Sequence, residues 1–314
     1  YVGGACVVDK KIADRHSLCL IGMFILGETL ILAPYSGADS FNILALIIAV
    51  GVAAVFFSVL SPLLIRAFGN KDNGGALNAL FGSIVIIFSL YVALGCFKTT
   101  VSLAENVMTN NIPRILIVFV LSAGSVAAIY APARAIYKVA LLSSVLIALA
   151  VAVLFALSLP HFNVRNIVPY TFTIEKSILL QAVDYFVRVF LPTALAMVYI
   201  CLTRDNVNAK TASEGVFLGG SLLVICVASA IMVFTAPVAA GMQFPYLNAV
   251  GVANVGELFT RVDGLAYPIL IVTSLIKIIV CLKLVISLIT NLGFKYKKTL
   301  SVACGALMMI LAII

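Results

Sequence analysis

Charge is what this sequence has least of. Asp, Glu, Lys and Arg make up 10% of its 314 residues, against roughly a quarter in a soluble domain. Hydrophobic residues reach 63%, with a mean hydropathy of +1.21. No water-soluble fold hides that much apolar side chain, so the chain is read as an integral membrane protein. Alternating apolar and polar positions are missing as well, and the apolar runs are long, so the spans are helices rather than barrel strands.

Other absences remove whole classes of chemistry. His16 and His161 are the only histidines, which leaves little material for a zinc site or a histidine-based triad. The seven cysteines form no CxxC pair and mostly fall inside apolar runs, so they read as small buried hydrophobes rather than metal ligands or disulfides. There is no aspartate-rich diphosphate motif, no intramembrane His/Glu cluster and no nucleophile elbow. A membrane enzyme or lipid-handling protein is therefore the least favoured reading, and no cofactor is implied. The formal net charge is +8, but it is spread as pairs and triplets of Lys/Arg between apolar runs, with no basic block carrying aromatics. That is topology information, not a nucleic-acid surface. No secretory signal with a cleavage site precedes the first run.

About 20 apolar residues cross a bilayer core of about 30 Å. Nine spans follow: 17–34, 41–66, 77–104, 114–131, 135–159, 177–203, 214–236, 265–290 and 300–314. The chain starts at Tyr1 and stops inside the ninth span, so it reads as trimmed at both ends with a tenth helix missing. With the N-terminus inside, inner segments hold twelve Lys/Arg and outer segments four, the bias of the positive-inside rule. The N-terminus is thus expected in the cytoplasm. The outer stretch Phe244 to Val262 reads equally as a surface amphipathic helix or an ordinary loop.

Two spans are interrupted. The first contains "FILGETLILAP", where Gly27 frees the backbone, Glu28 is a carboxylate deep in hydrocarbon, and Pro34 ends the run. The sixth contains "AVDYFVRVFLPTALAMVY", with Asp184 and Arg188 four apart on one helical face and Pro192 near its centre. Transporters built from two inverted five-helix repeats break these same helices so that free backbone groups meet a substrate at the midplane. The expected fold is therefore an all-α polytopic bundle of this five-plus-five, LeuT-like kind, with repeats at 13–159 and 177–314. The expected ligand site is Gly27, Glu28 and Thr29 with Asp184, Arg188, Phe190 and Pro192.

The eighth span carries two lysines. Lys277 sits about 18 Å below Leu265 at ~1.5 Å per residue, near mid-membrane. It should face the bundle interior, with Glu28 or Asp184 as partner, and it completes the expected site. Lys283 lies about 9 Å deeper, where it can snorkel to the inner surface. Small-residue spacings such as Gly215 to Gly219, with Gly220, read as close helix packing. Tyr91 and Tyr199 read as core aromatics.

"FTRVDGLAYPILIVTSLIKIIVCLKLV" resembles the segment before and within helix eight of the endospore germination permeases, the B-type subunits of nutrient germinant receptors, in the amino acid–polyamine–organocation superfamily. Arg261, Asp263 and Lys277 fit that family's pattern. "FILGETLILAP" and "SLYVALGCFKTT" are similar to its first and third helices, the latter with Lys98 where an Arg is usual. "FNVRNIVPY" is similar to its outer loop ending in Asn-x-x-Pro, whereas the family's break in helix six is replaced by "RVFLPTA". The resemblance implies a ten-helix permease-like subunit in an inner spore membrane, partnered by a larger A-type membrane subunit and a C-type lipoprotein, that senses a small nutrient such as an amino acid and triggers germination. A proton-coupled amino acid transporter working through Glu28 or Lys277 is the alternative.

Overall fold

The computed structural model describes residues 14–27, 43–69, 76–107, 113–166, 176–203, 209–242, 244–252 and 263–291, with residues 299, 303, 305–307 and 310 beyond them. The described residues are helical almost throughout and contain no strand. In chain order the helices are α1 (14–27), α2 (Ile43–Gly69), α3 (Ala76–Val107), α4 (Arg114–Ile129), α5 (Ala133–Ser158), α6 (Lys176–Tyr185), α7 (Thr193–Thr203), α8 (Ala209–Phe234), α9 (Ala236–Gly241), α10 (Pro245–Val252) and α11 (Asp263–Asn291). Among the described residues, six stretches are long and apolar enough to cross a membrane: Ile43–Phe68, Leu80–Asn106, Ala133–His161, Ile178–Thr203, Lys210–Phe234 and Leu270–Asn291. Each falls within a few residues of a run expected from hydropathy. The apolar helix α4 is shorter, and most of the expected ninth span, like the second half of the first, lies outside the described residues.

From Leu20 onward α1 is buried around its whole circumference: Leu20, Ile21, Met23, Phe24, Ile25 and Leu26 are all sealed from solvent. Its passage through the centre depends on glycine. A Cβ on Gly215 would fall 2.9 Å from Ile21 Cβ, and one on Gly219 would fall 2.8 Å from Gly22 O. α8 therefore touches α1 backbone to backbone, while Gly220 receives Val50 of α2. The small-residue spacing on α8 is a packing seam, as expected, and such seams let membrane helices gain dispersion contacts where no hydrophobic force drives them together.

α11 is the second central helix and makes its most extensive contact with α3. Along that contact polar side chains turn to the partner backbone: Ser89 Oγ reaches Cys281 O and Cys96 Sγ reaches Ser274 O, each at 3.5 Å. The donors and the acceptors are both seven residues apart, two helical turns, so the pairs repeat along one seam.

Span six is not a straight rod. α6 gives way at Phe186–Phe190 to a π-helical turn, Leu191 and Pro192 form a turn, and α7 resumes at Thr193. The amide of Leu191 reaches back five residues to Phe186 O at 2.8 Å, and Leu195 bonds to Pro192 O at 3.0 Å. The expected interruption thus takes the form of one widened turn ahead of the proline, with hydrogen bonding carried on both sides of it, rather than two separated half-helices. π-turns of this kind concentrate at functional sites.

Of the stretch read equally as a surface helix or a loop, Pro245–Val252 is a helix: Pro245, Tyr246, Leu247, Ala249 and Val250 are buried and it packs on α8, α11 and α5, while 253–262 lie outside the described residues. One expectation about the periphery needs correction. Tyr91 is 74% exposed on the outside of the bundle, whereas Tyr199 is a core aromatic as expected. Where α8 turns into α9, Thr235 has φ 74° and ψ 154°, a region almost confined to glycine that costs roughly 1–3 kcal/mol.

Candidate functional site

Gly27 is the last described residue of α1, and the stem of Lys277 crosses the helix there. A Cβ on Gly27 would lie 3.1 Å from Lys277 Cδ, 3.2 Å from Lys277 Cβ and 3.4 Å from Thr273 O. A side chain there would press on the lysine stem, which would have to give by a few tenths of an ångström. From Gly27 the stem runs back along α1, and Nζ sits 5.3 Å from the ring centroid of Phe24. Phe24 and Gly27 are three apart, hence on one helical face.

Lys277 is 1% exposed, and it lies fourteen residues into α11, about 21 Å from the start at ~1.5 Å per residue. The expectation that it faces the interior holds. A desolvated cation–π contact contributes about 2 kcal/mol, and an ionisable group buried at this depth marks a site of function by default. What the arrangement holds is a buried lysine whose stem lies on a glycine of α1 and whose amino group sits over a phenylalanine ring one turn earlier.

Of the expected site residues, Gly27 and Lys277 meet. Glu28 and Thr29 lie outside the described residues, and so does any pairing of Glu28 with Lys277. Asp184 is not the partner of Lys277. Its Oδ1 accepts from Arg188 Nε at 2.6 Å, the four-residue spacing having placed the two groups on one face. The Arg188 side chain is 60% exposed, whereas Asp184 is 31% exposed with its Oδ2 buried. Phe190 and Pro192 are buried in the π-turn and the turn after it.

Lys283, one and a half turns past Lys277, donates to Ala131 O in the turn between α4 and α5. It was expected to anchor near the inner surface; its partner in the structure is this turn carbonyl, within reach because α11 packs along both α4 and α5. Cys96, Cys201, Cys226 and Cys281 are buried and behave as small apolar side chains. Outside the spans, burial beside Cys226 pushes the Tyr246 phenol above its ordinary range, so it stays neutral.

Sequence reasoning missed Phe24, although its place one turn before Gly27 was a usable signal. It also missed the α3–α11 seam, whose seven-residue spacings at Ser89/Cys96 and Ser274/Cys281 are visible only once the two helices are known to pair.

A bundle of apolar helices, six of the described stretches long enough to cross a membrane, is the architecture of a helical integral membrane protein. Residues 11–314 match the family model described as spore germination protein, and the chain belongs to that spore permease family. No curated protein matches it significantly.

Proposed function

We propose that the chain is the permease-like subunit of a spore germinant receptor, which binds a small nutrient, an amino acid by chemistry, at mid-membrane and triggers germination. The observation that carries this reading is Lys277, buried against Gly27 of α1. An amino acid presents a carboxylate, and a charge-assisted bond to a desolvated ammonium is the strongest single contact available to it. Glu28 and Thr29, which follow Gly27 in sequence, would receive the other end, and Phe190 and Pro192 at the widened turn of span six would form the facing wall. The Asp184–Arg188 pair would line the approach.

In this reading the chain is the five-plus-five inverted repeat of the amino acid–polyamine–organocation superfamily, with its N-terminus in the cytoplasm and its site in the inner spore membrane. Its partners are the A-type membrane subunit and the C-type lipoprotein. Lys277 supplies a fixed positive charge between helices one and eight where related transporters place a cation, so no sodium is needed.

The test is Lys277→Met in spores. Loss of nutrient response with the protein still present in the membrane supports the assignment. Normal germination with normal protein levels overturns it. Uptake of amino acids into proteoliposomes by this chain alone would transfer the same site to a proton-coupled transporter.

A further inference from the structure

The loop "FNVRN" between α5 and α6 has so far been given no task. In the structure it reaches across to the strained junction of α8 and α9. A helix that continued past Phe234 would have used Met232 O to accept from the amide of Ala236. The turn at Thr235 removes that donor, and Pro237 has no N–H to offer in the next position. Met232 O is instead taken by two groups of the loop: the backbone amide of Asn163 and the side-chain amide Nδ2 of Asn166, each at 3.0 Å. Both lone pairs of one carbonyl are thereby used. The Asn163 side chain turns back to the Arg165 amide at 3.1 Å and holds the loop's own shape.

We propose that Asn166 is a latch: it closes the carbonyl opened at the strained Thr235 turn and so holds the α9–α10 hairpin down over α8. The geometry gives the latch a load. Thr235 sits at φ 74°, a conformation that a β-branched residue keeps only when its surroundings over-determine it. Its amide remains bonded to Ile231 O at 2.9 Å, and its carbonyl starts α9 by accepting from Ala239 at 3.0 Å. The turn is therefore pinned on the α8 side, on the α9 side and by the loop, and only the loop's contribution comes from a distant segment. Beyond it, α10 is the cover. Its Tyr246 phenol lies against the thiol of Cys226 on α8, and both are buried. The loop also follows α5 directly and precedes α6, so the latch couples the connection between those two helices to the position of the hairpin. This inference is independent of the ligand reading.

The reporter is native. Cys226 in the full chain, in membranes, is treated with a charged, membrane-impermeant methanethiosulfonate, and modification of each cysteine is followed by peptide mass spectrometry. A net hydrogen bond of ordinary strength corresponds to roughly a 3- to 10-fold change in an opening equilibrium. Asn166→Ala should therefore raise the rate at Cys226 by about that factor while Cys96, buried between α3 and α11, stays unmodified. Adding Thr235→Gly removes the load on the turn, because glycine takes its φ without strain, and should return the Cys226 rate most of the way to wild type. An unchanged Cys226 rate in Asn166→Ala overturns the latch. So does an equal rise at Cys96, which would mean general loosening, and so does a double variant as reactive as Asn166→Ala.

Discussion

Replacing Gly219 by alanine sets a methyl carbon 2.8 Å from the carbonyl oxygen of Gly22 and 2.9 Å from its Cα. Both neighbours are backbone atoms inside α1, so no side chain can swing aside. Ordinary contact begins near 3.5 Å, so α1 and α8 must separate by about half an ångström over this stretch. Overpacking of this kind costs about 1–3 kcal/mol, and the better helix propensity of alanine returns up to ~1 kcal/mol. A net loss of about 1–2 kcal/mol follows. Gly51 of α2 and Gly124 of α4 have nothing within 4 Å of a built Cβ, so the same change there should be neutral or slightly stabilising. The assay is reversible unfolding in mixed micelles, with the three single variants measured together. Gly215→Ala, which meets Ile21 Cβ and Leu18 O at 2.9 Å, should combine with Gly219→Ala less than additively, because one separation relieves both. If Gly219→Ala is as stable as Gly124→Ala, α1 does not run through the centre against α8, and the position of Gly27 beside Lys277 loses its support.

Other expectations follow from the same distances. Gly27→Ala puts a methyl 3.1–3.2 Å from the Lys277 stem. The flexible end can yield, so stability should change by less than about 1 kcal/mol while nutrient sensitivity falls severalfold, read as a shift of the germination dose curve. Lys283→Met removes the donor to Ala131 O; because the group is half-buried, the loss should be about 1 kcal/mol in detergent unfolding. A lysine anchored only to lipid headgroups would show no loss there.

The spans were legible because hydrocarbon thickness sets their length, and a run of about 20 apolar residues has few other uses. Which face of each span points inward was not. Lipid is as apolar as a protein core, so an apolar helix carries no polar stripe to orient it, and Tyr91 was placed in the core when it lies outside. Lys277 escaped that ambiguity because burying its charge is costly wherever it is unrewarded. Gly27 stood out in the sequence, but not as the position that receives the lysine stem, since that depends on a residue 250 positions on in the sequence. Pro192 announced a distortion of span six; that the distortion is a π-turn depends on which carbonyl Leu191 reaches, and composition does not encode it. The Asn-x-x-Pro loop was recognised as a motif, yet its acceptor, Met232 O, belongs to a helix it meets only in the folded bundle.

The most direct test of the account is ligand binding by the purified chain in nanodiscs, wild type against Lys277→Met, across a panel of amino acids and their carboxyl-amidated forms. Removing one partner of a buried, charge-assisted contact costs about 2–5 kcal/mol, so the account predicts at least a 30-fold weaker Kd in the variant. It also predicts that amidated ligands bind the wild type as poorly as free amino acids bind the variant. Equal affinity of both proteins for the free amino acid would contradict it.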